Sequence, residues 1–520
     1  MGDRKQRLGQ WLQGRCSLVL GAAVLLGLLV IATIRSASER WVWDRADHRG
    51  RVAEETEGTA PLQTVSGHAG TGNGETGNST AEVLAVHSER DLPRELTDYV
   101  AQADEHFHWS VQSREERWLL GRPWGTIHTL HVRSQRWQGV VWHHEVLIYV
   151  PPGISPSRSW LLWVDGDLPP RSKVDTLGML VASQIQAPFA MVFGVPNQPL
   201  LGDYREDALI AETLARYLQT QNSNWPLLFP MVKSVIRCMD ALQSYAQQQW
   251  GCPLERFVLA GASKRGWTVW LTAATGDPRV QAIVPLVFDT LNLPVQMAQQ
   301  VRVFGRFSEM IQDYQQRGLL PIPNTSAARR LWAMIDPWTY CPRLRMPKLI
   351  INGTNDPYWP LEALNLYWDD LPGEKWVLYV PNAGHYMCER REDGVEESLP
   401  RRAVATLTSF AYAQIHGRPL PRLHWQWKPL ERGQWSVQLQ CDQTPCKVRL
   451  FTTGSDSRDF RQAWWQEQEC PWERQSGPIV VPLQSKPYSA AFVEAEFTSD
   501  GRSYTLSSPV RVWEFPVRQP

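Results

Sequence analysis

The sequence predicts an α/β fold in which a mostly parallel sheet is covered on both faces, followed by an all-β segment and preceded by a membrane helix. Three observations carry this reading. Short apolar strand patterns alternate with helical ones over residues 89–418, period-two segments without helical spacing fill 419–520, and a long apolar run lies near the N-terminus. A serine, an aspartate and a histidine, each just past an apolar strand and in that chain order, narrow the class to the α/β-hydrolase fold.

The first element is the apolar run from Ser17 to Ile34, long enough to cross a hydrocarbon layer of about 30 Å as a helix. Arg4, Lys5, Arg7 and Arg15 precede it, so residues 1–16 read as a basic cytoplasmic tail. Residues 17–35 then read as a single-pass anchor in the inner (cytoplasmic) membrane, with the bulk of the chain extracytoplasmic or periplasmic. Ser36, Ala37 and Ser38 leave a cleaved signal peptide as the alternative. Residues 36–88 are rich in Gly, Thr, Glu and Asn and bury little, which suits a flexible linker.

A helical stretch is expected around Glu89 to Asp104. Strands follow at Gly125–Arg133, Val140–Val150, Trp160–Val164 and Phe189–Gly194, bounded by Gly, Pro and Asp. Apolar residues at helical spacing, among them Met231, Val235, Met239 and Leu242, predict a helix over 230–250. Further strands are expected at Arg256–Ala260, Ala282–Phe288, Lys348–Asn352 and Trp376–Val380, with a closing helix at Arg401–Gln414. After Pro419 the alternating segments predict a β-sandwich-like domain over 419–520.

Composition excludes several classes of function. Lys+Arg and Asp+Glu both number 53, so no bulk charge recruits nucleic acid. The 8 cysteines lack paired C-x-x-C spacing, and neither a metal site nor a cofactor is implied. In an oxidising compartment Cys441 and Cys446 are the nearest pair for a disulfide. The 26 tryptophans are read as core and edge fillers.

Ser263 lies in Gly261-Ala-Ser-Lys-Arg-Gly266 between a buried strand and a helix, the setting of a nucleophile elbow. Arg265 stands where G-x-S-x-G has its second glycine, which arrives one residue later. A serine at such a junction can instead be a helix N-cap. Asp356 follows one strand and His385 another, so Asp356 can orient His385 and His385 can act as general base. Asp289, at the end of the preceding strand, is the competing acid. For an oxyanion, the backbone N–H of Lys264 follows the nucleophile, and Gly166 in the early loop Val164-Asp-Gly-Asp167 is the second donor. These residues point to acyl transfer at a small-molecule or envelope-derived ester or amide. A non-catalytic envelope protein that keeps the fold to bind a ligand or partner is the rival reading.

Trp225-Pro-Leu-Leu-Phe-Pro-Met-Val-Lys233, the Ser263 motif, Asn352-Gly-Thr-Asn-Asp-Pro357, Tyr367-Trp-Asp-Asp-Leu-Pro372, Val380-Pro-Asn-Ala-Gly-His385 and Ser457-Arg-Asp-Phe-Arg461 together resemble the PhoPQ-activated pathogenicity-related protein family from about Asp91 onward. The resemblance implies a hydrolase-fold core with a C-terminal β segment. It also implies, in some bacteria, control by a two-component system that senses cationic peptides and low magnesium, hence a link to virulence. The elbow is also similar to the G-x-S-R-x-G elbow of glucuronoyl esterases, which implies that the Lys264 side chain assists the oxyanion.

Overall fold

A computed structural model of the chain describes residues 92–154, 157–431, 434–472, 477–482 and 484–514. The expected tail, membrane segment and linker lie outside the described residues. Among the described residues, no helix is long and apolar enough to cross a membrane.

The described residues open with helix α1 (Glu95–Ala101) and an antiparallel meander of β1 (His108–Leu119), β2 (Arg122–Trp137) and β3 (Val140–Val150). β4 (Ser159–Val164), α2 (Arg171–Ile185), β5 (Phe189–Val192), α3 (Glu206–Thr220) and α4 (Leu228–Trp250) lead to β6 (Arg256–Ala262) and α5 (Lys264–Ala274). β7 (Val280–Leu286) runs into a helical insertion of α6 (Leu293–Phe304), α7 (Gln312–Gln316) and α8 (Ser326–Ile335), after which β8 (Lys348–Gly353), β9 (Lys375–Val380) and α9 (Arg401–His416) complete the core.

Across the sheet the order is β1-β2-β3-β5-β4-β6-β7-β8-β9. The strands from β5 to β9 in that order are parallel, and β3 joins β5 antiparallel. Each central strand is buried on both faces, as crossover helices require. Phe257 and Leu259 of β6 enter one core with Met231 and Val235 of α4, while Val258 and Ala260 enter the other with Val174 of α2 and Leu407 of α9. The period of two in a strand thus distributes one short sequence between two layers. Trp142, Trp160, Trp270 and Trp465 are fully buried, which is the core role expected of the indoles.

The segment after Pro419 is built of strands, but it does not form a layer apart. β12 (Lys447–Ser455), β13 (Gln466–Cys470), β15 (Tyr488–Ser499), β16 (Arg502–Ser507) and β17 (Arg511–Glu514) extend the central sheet through β9. β10 (Leu423–Pro429), β11 (Trp435–Cys441) and β14 (Ile479–Val480) make a separate three-stranded sheet. Val437 and Leu439 of β11 share a core with Val448, Leu450 and Val493 of the large sheet, so the sandwich borrows one face from the core. The Cys441–Cys446 disulfide is not formed: both are free thiols. Cys441 ends β11 in the small sheet, whereas the N–H of Cys446 is tied to the Glu496 carbonyl of the large one.

Candidate active site

Ser263 sits at the turn from β6 to α5 with φ 56° and ψ −123°, a conformation strained for a residue with a side chain. The turn is held by the Ser263 N–H on the Leu286 carbonyl, 2.9 Å, and by small neighbours. A Cβ on Gly261 would lie 2.9 Å from the Arg265 carbonyl oxygen, and one on Gly266 would lie 3.0 Å from that of Leu286. The second glycine is therefore needed at 266. Although Ser263 occupies the N-cap position of α5, its side chain makes no capping bond.

That hydroxyl instead meets His385. Ser263 Oγ lies 2.9 Å from His385 Nε2, and His385 Nδ1 lies 2.8 Å from Asp356 Oδ2. With the Nδ1 proton donated to the carboxylate, Nε2 is left to accept from the serine. The other Asp356 oxygen accepts the Tyr358 N–H at 2.8 Å and so fixes the turn after β8. The imidazole is half-buried under the Tyr358 ring, with 4.3 Å between centroids.

Asp289 does not reach the histidine. Its carboxylate is buried and accepts the Tyr367 hydroxyl at 2.6 Å. Burial pushes its pKa up to about 7; the Tyr367 hydroxyl opposes that rise and the Asp356 charge adds to it.

The Lys264 backbone N–H heads α5, where no intrahelical acceptor exists, and directly follows Ser263. The Gly166 expectation is corrected. Its N–H is spent on the Asp165 carboxylate at 2.7 Å, which also accepts the Trp163 indole N–H at 2.9 Å. Asp167 turns away to Arg205, 2.9 Å. The glycine at 166 answers a different demand, since a Cβ there would run into the Arg265 guanidinium.

Arg265 is 7% exposed and makes a two-pronged pair with Glu206, at 2.7 and 2.9 Å, while its Nε donates to the Val195 carbonyl at 2.6 Å. Burial alone would raise the Glu206 pKa, but the Arg265 charge and hydrogen bonds outweigh it and hold the carboxyl at about 2. Next door, the Lys264 ammonium is 2.7 Å from Asp207 Oδ2 and 3.3 Å from the Tyr358 hydroxyl. Asp207 also accepts the hydroxyls of Tyr358 and Tyr314, each at 3.2 Å. Burial first, and the Asp207 charge second, push both phenols above their ordinary pKa. The Lys264 side chain is thus held in an ion pair beside the serine.

These partners were missing from the sequence reading. Glu206, Asp207 and Tyr314 belong to segments with no motif, and only the adjacency of Tyr358 to Asp356 offered a signal. Also unforeseen is a brace from the C-terminal segment. Asn355 Nδ2 donates to the Ala463 carbonyl at 2.7 Å, and Asn382 accepts the Trp465 N–H at 2.7 Å. These bonds hold the loops that carry Asp356 and His385.

A pocket opens beside Ser263, walled by α5, the loop after β7, the helical insertion and Tyr358-Trp359. The Trp267 and Phe288 rings stack at 4.9 Å, and Trp359 meets Phe288 edge-on at 6.2 Å.

A family model described as PhoPQ-activated pathogenicity-related protein matches residues 96–461. Autocrine proliferation repressor protein A of Dictyostelium discoideum is 31% identical over 391 residues, which is 70% of this chain and 76% of that protein. Similar solved structures include an acetyl xylan esterase from Paenibacillus sp. R4, at 15% identity and a TM-score of 0.43 over 61% of this chain and 92% of that one. An S-formylglutathione hydrolase from Agrobacterium tumefaciens is similar at 10% identity and a TM-score of 0.39 over 59% and 99%. With 366 of its residues under the family model and a relative matched over most of its length, the chain belongs to the PhoPQ-activated pathogenicity-related protein family.

Proposed function

We propose that this chain is an esterase-like serine hydrolase of the α/β-hydrolase fold, with Ser263 as nucleophile, His385 as general base and acid, and Asp356 as the acid that orients it. The observation that carries the reading is the continuous relay from Ser263 Oγ through both ring nitrogens of His385 to Asp356, at 2.9 and 2.8 Å. His385 takes the hydroxyl proton as Oγ bonds to the ester carbonyl carbon, and returns it to the alkoxide when the C–O bond breaks. Water, deprotonated by the same imidazole, then releases the acid. The Lys264 N–H and the positive end of α5 favour the oxyanion. A fluorophosphonate should label the wild-type protein covalently and leave Ser263→Ala unlabelled. A folded wild-type protein that resists the reagent sinks the enzyme and favours the ligand-binding rival.

We also propose that Ser17–Ile34 holds the protein in the inner membrane with the hydrolase portion outside, on the strength of its apolar length and of the basic residues before it. Alkaline carbonate extraction should leave the full-length chain in the membrane pellet. Its release into the soluble fraction contradicts the anchor.

A further inference from the structure

The pocket beside Ser263 bears on which half of a substrate the protein selects. Trp267, Phe288, Leu293, Met297, Trp332 and Trp359 supply most of its apolar wall. Its polar lining is confined to Ser263, Thr290 and the Lys264–Asp207–Tyr314–Tyr358 cluster, whose members already bond to one another. Neither His385 nor Asp356 lines it.

That asymmetry has a chemical meaning, because the leaving alcohol receives its proton from His385 and must depart on the imidazole side. The acyl group stays bonded to Ser263 Oγ through the intermediate and must occupy the remaining space. We infer that the apolar pocket is an acyl site and that the substrates are esters of apolar carboxylic acids, larger than acetyl, with little selection on the alcohol.

This inference rests on the serine-hydrolase reading. Ser263 Oγ bonds to the carbonyl carbon, the ester C–O bond breaks with the proton going to the alcohol, and water completes the exchange to free acid. Each methylene taken from water into such a wall adds about a factor of four to kcat/KM until the pocket is full. Leu293 and Met297, from α6 of the insertion, are 3% and 6% exposed and form part of that wall. A larger side chain there subtracts acyl space and leaves the relay in place.

The test uses the full-length protein in detergent with two ester series, beside fluorophosphonate labelling. Along p-nitrophenyl acetate, butyrate and hexanoate the leaving group is constant, and kcat/KM should rise by about two orders of magnitude from acetate to hexanoate. Along ethyl, butyl and hexyl acetate it should change by less than about threefold, since the apolar pocket is assigned to the acyl half. Met297→Trp should lower the hexanoate-to-acetate ratio at least tenfold. A flat or falling acyl series in a protein that labels at Ser263 overturns the acyl site and leaves the hydrolase standing. So does a rise confined to the alcohol series. Absence of both labelling and hydrolysis overturns the inference together with the reading it rests on.

Discussion

Asp356→Asn is expected to lower turnover of a p-nitrophenyl ester by about 10⁴-fold while the protein keeps its fold. Asp356 Oδ2 receives the Nδ1–H of His385 at 2.8 Å, and that bond selects the tautomer whose Nε2 can take the serine proton. An amide whose oxygen still accepts the Tyr358 N–H, as Asp356 Oδ1 does at 2.8 Å, turns its NH₂ toward Nδ1. The proton then moves to Nε2, and the base is lost. Asp289→Asn supplies the control. Its carboxylate faces Tyr367, so turnover should change by less than about tenfold, the loss of a remote charge rather than of the tautomer. Steady-state rates with thermal melts on both variants decide the assignment. Comparable losses in the two variants, or none in Asp356→Asn, defeat the triad.

Arg265→Met is expected to cost about 3–5 kcal/mol of folding stability, because it strands the Glu206 carboxylate without its counter-charge. The Arg265 and Glu206 side chains are only 9% and 15% exposed, so water compensates little. In the wild type, the Glu206 pKa is held at about 2 against an ordinary 4.5, so its contribution is fully present above pH 4.5 and is lost as pH falls through about 2. The variant lacks the largest influence that depresses this pKa, and only the Lys264 charge and the Gln198 hydrogen bond are left to oppose burial. Its deficit should therefore be largest at neutral pH and shrink on acidification through pH 4. Arg265→Met combined with Glu206→Gln should recover part of the loss, since removing both charges avoids burying one. Urea unfolding of the three proteins between pH 3 and 7 measures this. A pH-independent deficit shows that Arg265 acts by packing alone.

The same residue shows where sequence reading stopped. Arg265 interrupts G-x-S-x-G, and the fold makes it the centre of a buried ion pair that requires Gly166 to lack a side chain. Its partner Glu206 is 59 residues away and leaves no local trace, because an ion pair has no sequence period. The helical insertion over 293–335 was not anticipated either, and it supplies much of the pocket wall. Its helices are short and broken by Pro321 and Pro323, so hydrophobic spacing had little length over which to accumulate.

The sequence by itself determined the alternation of strands and helices, and the placement of Ser263, Asp356 and His385 at strand ends in chain order. These properties are local: period two, period 3.6 and turn chemistry are written within a dozen residues. Only the tertiary structure placed Asp356 against His385 and Asp289 against Tyr367, since both end apolar strands and the outcome depends on which carboxylate the His385 loop approaches. It likewise committed the Gly166 N–H to Asp165, and it made the strands after Pro419 an extension of the central sheet that braces the Asp356 and His385 loops through Asn355 and Asn382. Such outcomes turn on hydrogen-bond distances between segments far apart in the chain. Those distances exist only once the sheet has brought the strand ends together.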